Sequence, residues 1–265
     1  MSDILKIGNY EFSSRFILGS GKFSLPLLEA VINEGEAQII TLALRRVKSA
    51  TEQNILDFLP KNITLLPNTS GAINKDEALR IARLGRELGC GDLVKLELIK
   101  DSKYLLPDNY ETIKATELLA NDGFTVLPYC YPDLYVARDL VNAGASAIMP
   151  LGSCIGSNKG LMTKDFIQIL IDEIELPIIV DAGIGRPSQA CEAMEMGASA
   201  IMLNTAVATS QDVALMSRAF KNSIKAGRDA YLAGLGRVLN KAEASSPLTG
   251  FLKELQWLKI TQQEQ

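Results

Sequence analysis

The amino-acid sequence predicts a single (β/α)8 TIM barrel, the α/β fold in which eight parallel strands alternate with helices around a closed core. Its 265 residues are close to the roughly 250 that such a barrel usually contains. Eight short apolar runs alternate with segments of helical periodicity, as in repeated strand–helix units. Runs such as Pro-Ile-Ile-Val and Ala-Ile-Met-Leu are apolar throughout, which is typical of parallel strands covered on both faces.

The predicted strands are spread over most of the chain. They cover residues 16–19, 38–44, 62–67, 93–99, 125–130, 147–151, 177–182 and 200–204. Helices are predicted between them, for example over 76–89 and 110–121, and glycines such as Gly89 and Gly123 end them. Before the first barrel strand, residues 7–12 around Gly8-Asn9 predict a short N-terminal β-hairpin that closes the barrel floor.

The domain organisation follows from the absence of any linker or change in composition. We expect one barrel domain over residues 1–250 and a C-terminal tail over 251–265. The alternative fold is an open doubly wound sheet, which binds nucleotides through a Gly-x-Gly-x-x-Gly turn. Here residues 19–22 read Gly-Ser-Gly-Lys without the third glycine, and residues 152–160 lack the P-loop lysine placement. The barrel is therefore favoured.

Composition excludes several classes of function. The chain has no histidine, which removes histidine triads and histidine metal ligands, so acid–base chemistry must use Asp, Glu, Lys, Tyr or Cys. With a net charge of -4 and no basic cluster, no nucleic-acid partner is expected. No apolar run approaches the roughly 18 residues of a membrane span, and no signal peptide is evident. The four cysteines form no Cys-x-x-Cys pair, so we expect a cytoplasmic protein with reduced thiols.

The most informative segment is the predicted strand 93–99. Because side chains alternate between the faces of a strand, Lys95 and Glu97 share the face opposite Val94, Leu96 and Leu98. The apolar face is expected to pack under the helices, which leaves the charged pair in the lumen. One interpretation is a structural ion pair. We favour a catalytic lysine that attacks a ketone, although an apolar lumen lowers the lysine pKa while the carboxylate raises it.

Further candidates lie at the ends of the later strands. Asp181 ends the predicted strand 177–182, where an acid–base or orienting role is favoured over helix capping, because the next helix begins closer to Arg186-Pro187. The glycine-containing segments 152–157 and 182–185 and the segment Asn-Thr-Ala at 204–206 follow three consecutive strands and predict a phosphate site.

The cysteines and tyrosines near these strand ends are weaker candidates. Cys154 is disfavoured as a nucleophile, because no histidine can deprotonate it and Lys159 is its only evident cationic neighbour. Cys130 is expected to be a small buried hydrophobe. Tyr129 and Tyr131 flank it and either line the site or pack.

Together these motifs resemble the thiazole synthase family of thiamine biosynthesis over residues 7–250. The similarity is carried by Val-Lys-Leu-Glu-Leu-Ile at 94–99, Pro-Asn-Thr-Ser-Gly at 67–71, Met-Pro-Leu-Gly at 149–152, Val-Asp-Ala-Gly-Ile-Gly at 180–185, Leu-Asn-Thr-Ala at 203–206, Ala-Leu-Arg-Arg-Val at 43–47 and Ala-Ser-Ser-Pro at 244–247. One loop departs from the family pattern: where the family reads close to Gly-Ala-Pro-Ile-Gly-Ser-Gly, residues 152–159 read Gly-Ser-Cys-Ile-Gly-Ser-Asn-Lys.

The resemblance implies a reaction and a set of roles. Lys95 would form an imine with 1-deoxy-D-xylulose 5-phosphate, with Glu97 and Asp181 as acid–base carboxylates. The positions that match substrate-binding residues are Gly156, Ala182, Gly183, Asn204 and Thr205. Dehydroglycine and a small sulfur-carrier protein ending in a glycyl thiocarboxylate would be the other inputs, and the product a carboxylated thiazole phosphate.

The resemblance also implies a homotetramer that needs neither metal nor organic cofactor. Two alternatives stay open: a class I aldolase acting on another ketose phosphate, and a non-catalytic barrel that binds a sugar phosphate or a carrier protein.

Overall fold

The computed structural model describes residues 3–19, 24–44, 59–60 and 62–243. The chain divides into two compact units, Met1–Ala233 and Gly234–Gln265. The first unit contains the barrel. Residues 234–243 of the second unit contain no helix or strand, and an ion pair joins Arg237 to Glu243. The predicted domain boundary at residue 250 and the motifs at 45–47 and 244–247 lie outside the described residues.

The first unit is a (β/α)8 barrel preceded by a hairpin, as predicted. The strands are β1 Leu5–Ile7, β2 Tyr10–Phe12, β3 Phe16–Leu18, β4 Ile39–Ala43, β5 Thr64–Asn68, β6 Leu93–Leu96, β7 Thr125–Cys130, β8 Met149–Pro150, β9 Ile179–Val180 and β10 Ala200–Leu203. The helices are α1 Leu25–Asn33, α2 Lys75–Glu87, α3 Asn109–Asn121, α4 Leu134–Asn142, α5 Lys164–Glu173, α6 Pro187–Glu195, α7 Thr205–Ala208 and α8 Val213–Ala233.

All neighbouring barrel strands pair in parallel. Their order is β8-β7-β6-β5-β4-β3-β10-β9, and parallel bridges from Ile148 to Ile178 and from Leu151 to Asp181 join the two ends. Every predicted strand is therefore present, although several are shorter than predicted. The carboxyl ends of all eight strands consequently meet at one mouth of the barrel.

Several helices are preceded by a residue whose side chain caps their first turn. Asn74, Asp108 and Asp133 each accept a hydrogen bond from the backbone N–H three residues later, at the first turns of α2, α3 and α4. α6 begins at Pro187, and Arg186 is its N-cap residue. Asp181 is therefore not a helix cap, which removes the structural alternative considered for it.

Apolar side chains fill the barrel in two layers. Val94, Leu96 and Leu98 pack outward against alanines and leucines of α2 and α3, as the alternation predicted. The inner layer combines strand residues such as Leu66 and Leu93 with the hairpin residues Leu5, Ile7 and Phe12. The hairpin thus closes the amino-terminal floor of the barrel. It begins two residues earlier than predicted, at Leu5.

Candidate active site

A cavity of about 400 Å³ opens at the carboxyl ends of the barrel strands. Strands β4, β5, β6 and β10, together with the loops after β8 and β9, form its wall. All eight residues singled out from the sequence line it: Lys95, Glu97, Asp181, Gly156, Ala182, Gly183, Asn204 and Thr205. The structure therefore brings together side chains and loops that are far apart in the chain.

Lys95 lies at the centre of a buried charge cluster. Its side chain, only 3% exposed, projects inward from β6, and its Nζ lies 2.7 Å from Oδ2 of Asp181 and 3.3 Å from Oε2 of Glu97. Nζ donates a hydrogen bond to Glu97. The contact with Asp181 is shorter and is an ion pair. One ammonium thus faces two carboxylates.

The two carboxylates decide the charge of the amine. Burial acts to lower the pKa of Lys95, but the charges of Asp181 and Glu97 outweigh it and hold the pKa above its ordinary value. This settles the balance that the sequence left open. The resting amine is an ammonium, and it must transfer a proton before it can attack a carbonyl carbon.

Glu97 and Asp181 differ in their other contacts. Burial acts to raise the pKa of Glu97, but the charge of Lys95 and hydrogen bonds from Asn68 and Ser70 bring it below its ordinary value. Burial also acts on Asp181, where the attraction of Lys95 does not compensate, so the pKa of Asp181 lies above its ordinary value. Two carboxylates around one amine therefore differ in their readiness to bind a proton.

The loops that the sequence assigned to phosphate have an unusual backbone. Gly156, Ala182 and Gly183 have φ angles of 74°, 63° and 85°. A side chain at Gly183 would place its Cβ 2.0 Å from Oγ of Ser153, so only glycine fits there. Ala182 is a non-glycine residue in the left-handed region, which costs about 1–3 kcal/mol and is typical of functional sites. The backbone is shaped to line the cavity closely.

Further contacts fix these loops relative to each other. The amide of Gly160 donates to the carbonyl of Gly183 at 2.7 Å. Oε1 of Gln189, in the first turn of α6, accepts from the amides of Gly185 and Arg186. Sequence reasoning did not single out Gln189, because a glutamine in the first turn of a helix carries no distinctive signal.

The sequence also gave no role to Asn68, Thr69 and Ser70. Asn68 and Ser70 line the cavity beside Glu97. The available signal was positional: Asn68 ends β5, directly beside Lys95 in the parallel register. A polar residue that ends a barrel strand adjacent to a charged one is a site candidate on topology alone.

The remaining aromatic and thiol candidates differ in their burial. Tyr129 is fully buried, with its ring centroid 5.2 Å from Nζ of Lys95, and burial raises its pKa far above the ordinary range. Tyr131 is 43% exposed. Cys130 is buried and its thiol pKa is raised by burial, as expected for a small hydrophobe. Cys154 is half-buried in the loop after β8.

The described parts of the chain offer neither a metal-binding cluster nor a membrane-spanning helix. No group of three or more acidic, cysteine or histidine side chains there is placed to bind a metal ion. Within the same ranges, none of the helices combines the length and apolar character that crossing a lipid bilayer requires.

The fold and the site define a (β/α)8 barrel with a polar cavity at the end where barrel enzymes carry out catalysis. The family model described as Thiazole biosynthesis protein ThiG matches residues 6–247. A thiazole synthase of Clostridium beijerinckii is 68% identical over 253 residues, which cover 95% of this chain and 99% of that protein. A thiazole synthase of Campylobacter jejuni is 69% identical over 253 residues, covering 96% and 98%.

A solved structure agrees with these relatives. A chain in the crystal structure of the Amycolatopsis orientalis BexX/CysO complex is 33% identical with a TM-score of 0.80, and the match covers 89% of this chain and 98% of that one. The chain therefore belongs to the thiazole synthase family, and it is a thiazole-forming transferase of thiamine biosynthesis.

Proposed function

We propose that this enzyme builds the carboxylated thiazole phosphate of thiamine through an imine between Lys95 and 1-deoxy-D-xylulose 5-phosphate. One observation carries the proposal: a single buried amine lies within 2.7 Å and 3.3 Å of two carboxylates in a cavity at the catalytic end of the barrel. Burying such a charge cluster costs free energy, and clusters of this kind are typical of active sites. Dehydroglycine and the thiocarboxylate of a sulfur carrier are the proposed second and third substrates.

The cavity supports a sugar phosphate as the first substrate. Its volume of about 400 Å³ is within the usual range for small-molecule sites. We place the phosphate against the loops of Gly156, Ala182 and Gly183, with Asn204 and Thr205 beside it, because closely approaching backbone amides suit an anion. The ketone at the other end of the substrate then points toward Lys95.

Imine formation begins with a proton transfer inside the cluster. The Lys95 ammonium gives a proton to a neighbouring carboxylate, and Asp181 suits this step because its pKa is raised. The free amine attacks the ketone carbon, and the resulting carbinolamine loses water to give the imine. The Asp181 proton is available to the departing hydroxyl, so the carboxylate returns to its starting state.

The imine prepares the sugar for sulfur. It acidifies the adjacent C–H bond, a carboxylate removes that proton, and reprotonation moves the carbonyl function along the chain to the next carbon. The thiocarboxylate sulfur then attacks the new ketone carbon. The carrier's acyl group moves from sulfur to the former ketone oxygen, and elimination of the carrier as its carboxylate leaves a thioketone on the sugar. These steps use an amine and proton carriers alone, so we propose that the enzyme requires no metal or organic cofactor.

We propose a small sulfur-carrier protein as the macromolecular partner. The similar chain of known structure was crystallised as a BexX/CysO complex, which supports a partner protein for this chain as well. The carrier's glycyl thiocarboxylate would reach Lys95 through the open mouth of the barrel. We also propose a homotetramer located in the cytoplasm.

Borohydride trapping tests the imine. The enzyme is incubated with 1-deoxy-D-xylulose 5-phosphate and borohydride, and the intact protein is weighed. We expect one adduct on the wild type, none on Lys95→Ala, and an unchanged adduct on the control Lys103→Ala, whose lysine lies on an exposed loop. An adduct on Lys95→Ala contradicts the assignment, and no adduct on any variant indicates a non-catalytic binder. Turnover of the sugar phosphate without a carrier indicates an aldolase.

A further inference from the structure

The end of strand β5 reaches the charge cluster through one amide side chain. Nδ2 of Asn68 donates to Oε2 of Glu97 at 3.0 Å, the same oxygen that accepts from Lys95. Oδ1 of Asn68 accepts from the backbone amide of Ser70 at 2.8 Å. Because a backbone N–H can only donate, this second bond fixes the orientation of the amide, and Nδ2 must be the group that faces Glu97.

The neighbouring threonine holds the backbone of Glu97. Thr69 is fully buried; its Oγ1 accepts from the amide of Glu97 at 2.9 Å and donates to the carbonyl of Glu97 at 3.0 Å. These two bonds take the place of the strand ladder beyond Leu96, where β6 ends. The Asn68–Thr69–Ser70 segment thus fixes both the backbone and the carboxylate of Glu97.

Asp181 has no comparable support from a side-chain amide among the described residues. Its Oδ2 is buried and makes the ion pair with Lys95 at 2.7 Å. Within the described residues, the side-chain amide that distinguishes Glu97 from Asp181 therefore comes from the end of β5, a strand that contributes no group to the proposed bond-forming steps.

We infer that Asn68 is a positioning residue that holds the Glu97 carboxylate beside the Lys95 amine, so that Glu97 stays with the amine while Asp181 exchanges protons. The inference rests on the proposed imine chemistry. It gives a task to the Pro-Asn-Thr-Ser-Gly segment at 67–71, which the reaction steps above do not use.

The charged and titratable groups that face Glu97 within the described residues are few. Lys95 adjoins it on β6, Asp181 reaches the same amine from the end of β9, and the buried Tyr129 faces it from β7. Asn68 and Ser70, from the end of β5, are neutral. Removing the Asn68 donor therefore leaves Lys95 and the Ser70 hydrogen bond as the groups that keep Glu97 ionised.

The test variant is Asn68→Asp. It keeps the acceptor for the Ser70 amide and removes the donor to Glu97, and a second carboxylate beside Glu97 favours proton uptake at higher pH. The rate of borohydride-trappable adduct formation is measured from pH 5 to pH 9. We expect the acidic limb of the profile to move to higher pH and the rate at pH 7 to fall about tenfold or more, with the half-saturating sugar phosphate concentration unchanged.

Two further variants keep the test decisive. Asn74→Asp introduces the same change at the cap of α2, outside the cavity, and is expected to retain the wild-type profile. Ser70→Ala removes the second donor to Glu97 and is expected to shift the same limb by a smaller amount, which serves if Asn68→Asp does not fold.

The outcomes separate the inference from the proposed function. An unshifted profile in Asn68→Asp, or in Ser70→Ala where the first variant does not fold, overturns the positioning role, even if the rate falls equally at every pH. A wild type that forms no adduct removes the imine itself.

Discussion

The two ends of the barrel carry charge clusters of opposite composition. At the mouth, one lysine faces two carboxylates, Glu97 and Asp181. At the floor, one carboxylate, Asp3, accepts paired hydrogen bonds from two arginines, Arg15 and Arg228. A cavity of about 510 Å³ lies beside the floor cluster and exceeds the mouth cavity of about 400 Å³.

The larger cavity is therefore not the one at the catalytic end of the barrel. The two clusters differ instead in whether their cation can give up a proton. A guanidinium stays charged at any physiological pH, and its planar donors match a carboxylate in fixed geometry. Arg15 also donates to the carbonyl of Ser199, so the floor cluster joins the chain's beginning to β10 and α8. A lysine can lose its proton and become a nucleophile. The floor cluster therefore suits a stabilising role, and the mouth cluster suits the proposed reaction.

The strongest way to break this comparison is to place an arginine at the mouth. Lys95→Arg keeps the positive charge between Glu97 and Asp181 but supplies no free amine. We expect no trappable adduct and a fall in thiazole formation on the order of 10³-fold or more. Thermal unfolding of the variant is the control for folding. An adduct on this variant would show that the reactive amine is elsewhere.

The reciprocal exchange, Arg15→Lys, sharpens the contrast from the other end. A lysine cannot make the paired contact with Asp3 and also reach Ser199, so we expect a loss of about 1–3 kcal/mol in the free energy of unfolding. Urea unfolding measures it. The rate of adduct formation should stay at the wild-type value, and a fall in that rate without unfolding would mean that the two ends are coupled.

The smallest expected effect is the pH dependence of the floor. Hydrogen bonds from Arg228, with Arg15 beside it, lower the pKa of Asp3 to about 2 from 3.8. Because the folded pKa is lowered, its stabilisation is present above pH 3.8 and is lost as the pH falls toward 2. Asp3→Asn should lose about 1 kcal/mol at pH 6, allowing for the partial exposure of this carboxylate.

The measurement compares the free energies of unfolding of wild type and Asp3→Asn at pH 6 and pH 3. The gap between the two proteins should narrow at pH 3. A gap that stays constant would show that the stabilisation by Asp3 does not depend on the ionisation of its carboxylate.

Local sequence patterns predicted the fold and the position of the Lys95–Glu97 pair in the site. Strand periodicity alone placed Lys95 and Glu97 on the lumen side, and apolar runs located the strands. The contacts that complete each cluster join distant positions: Asp3 and Arg228 are 225 residues apart, and Asn68 and Glu97 are 29 apart. Such contacts depend on barrel closure and strand register, which no local pattern contains.

Two details also required the folded chain. The sequence placed Glu97 inside a strand over 93–99, but β6 ends at Leu96 because Thr69 takes over the backbone bonds of Glu97. The charge state of Lys95 depended on the opposing effects of burial and carboxylates, and the deciding contact, with Asp181, comes from another strand.

The hairpin that closes the barrel floor bears on the order in which substrates bind and the product leaves. Leu5, Ile7 and Phe12 fill the lower lumen, so within the described residues the cavity at the mouth is closed from below. The first substrate to bind occupies the deepest part of the cavity, and later substrates bind above it. In the reaction proposed above, the sugar phosphate tethered to Lys95 would therefore bind before the sulfur donor, and the thiazole product would leave only after that donor withdraws.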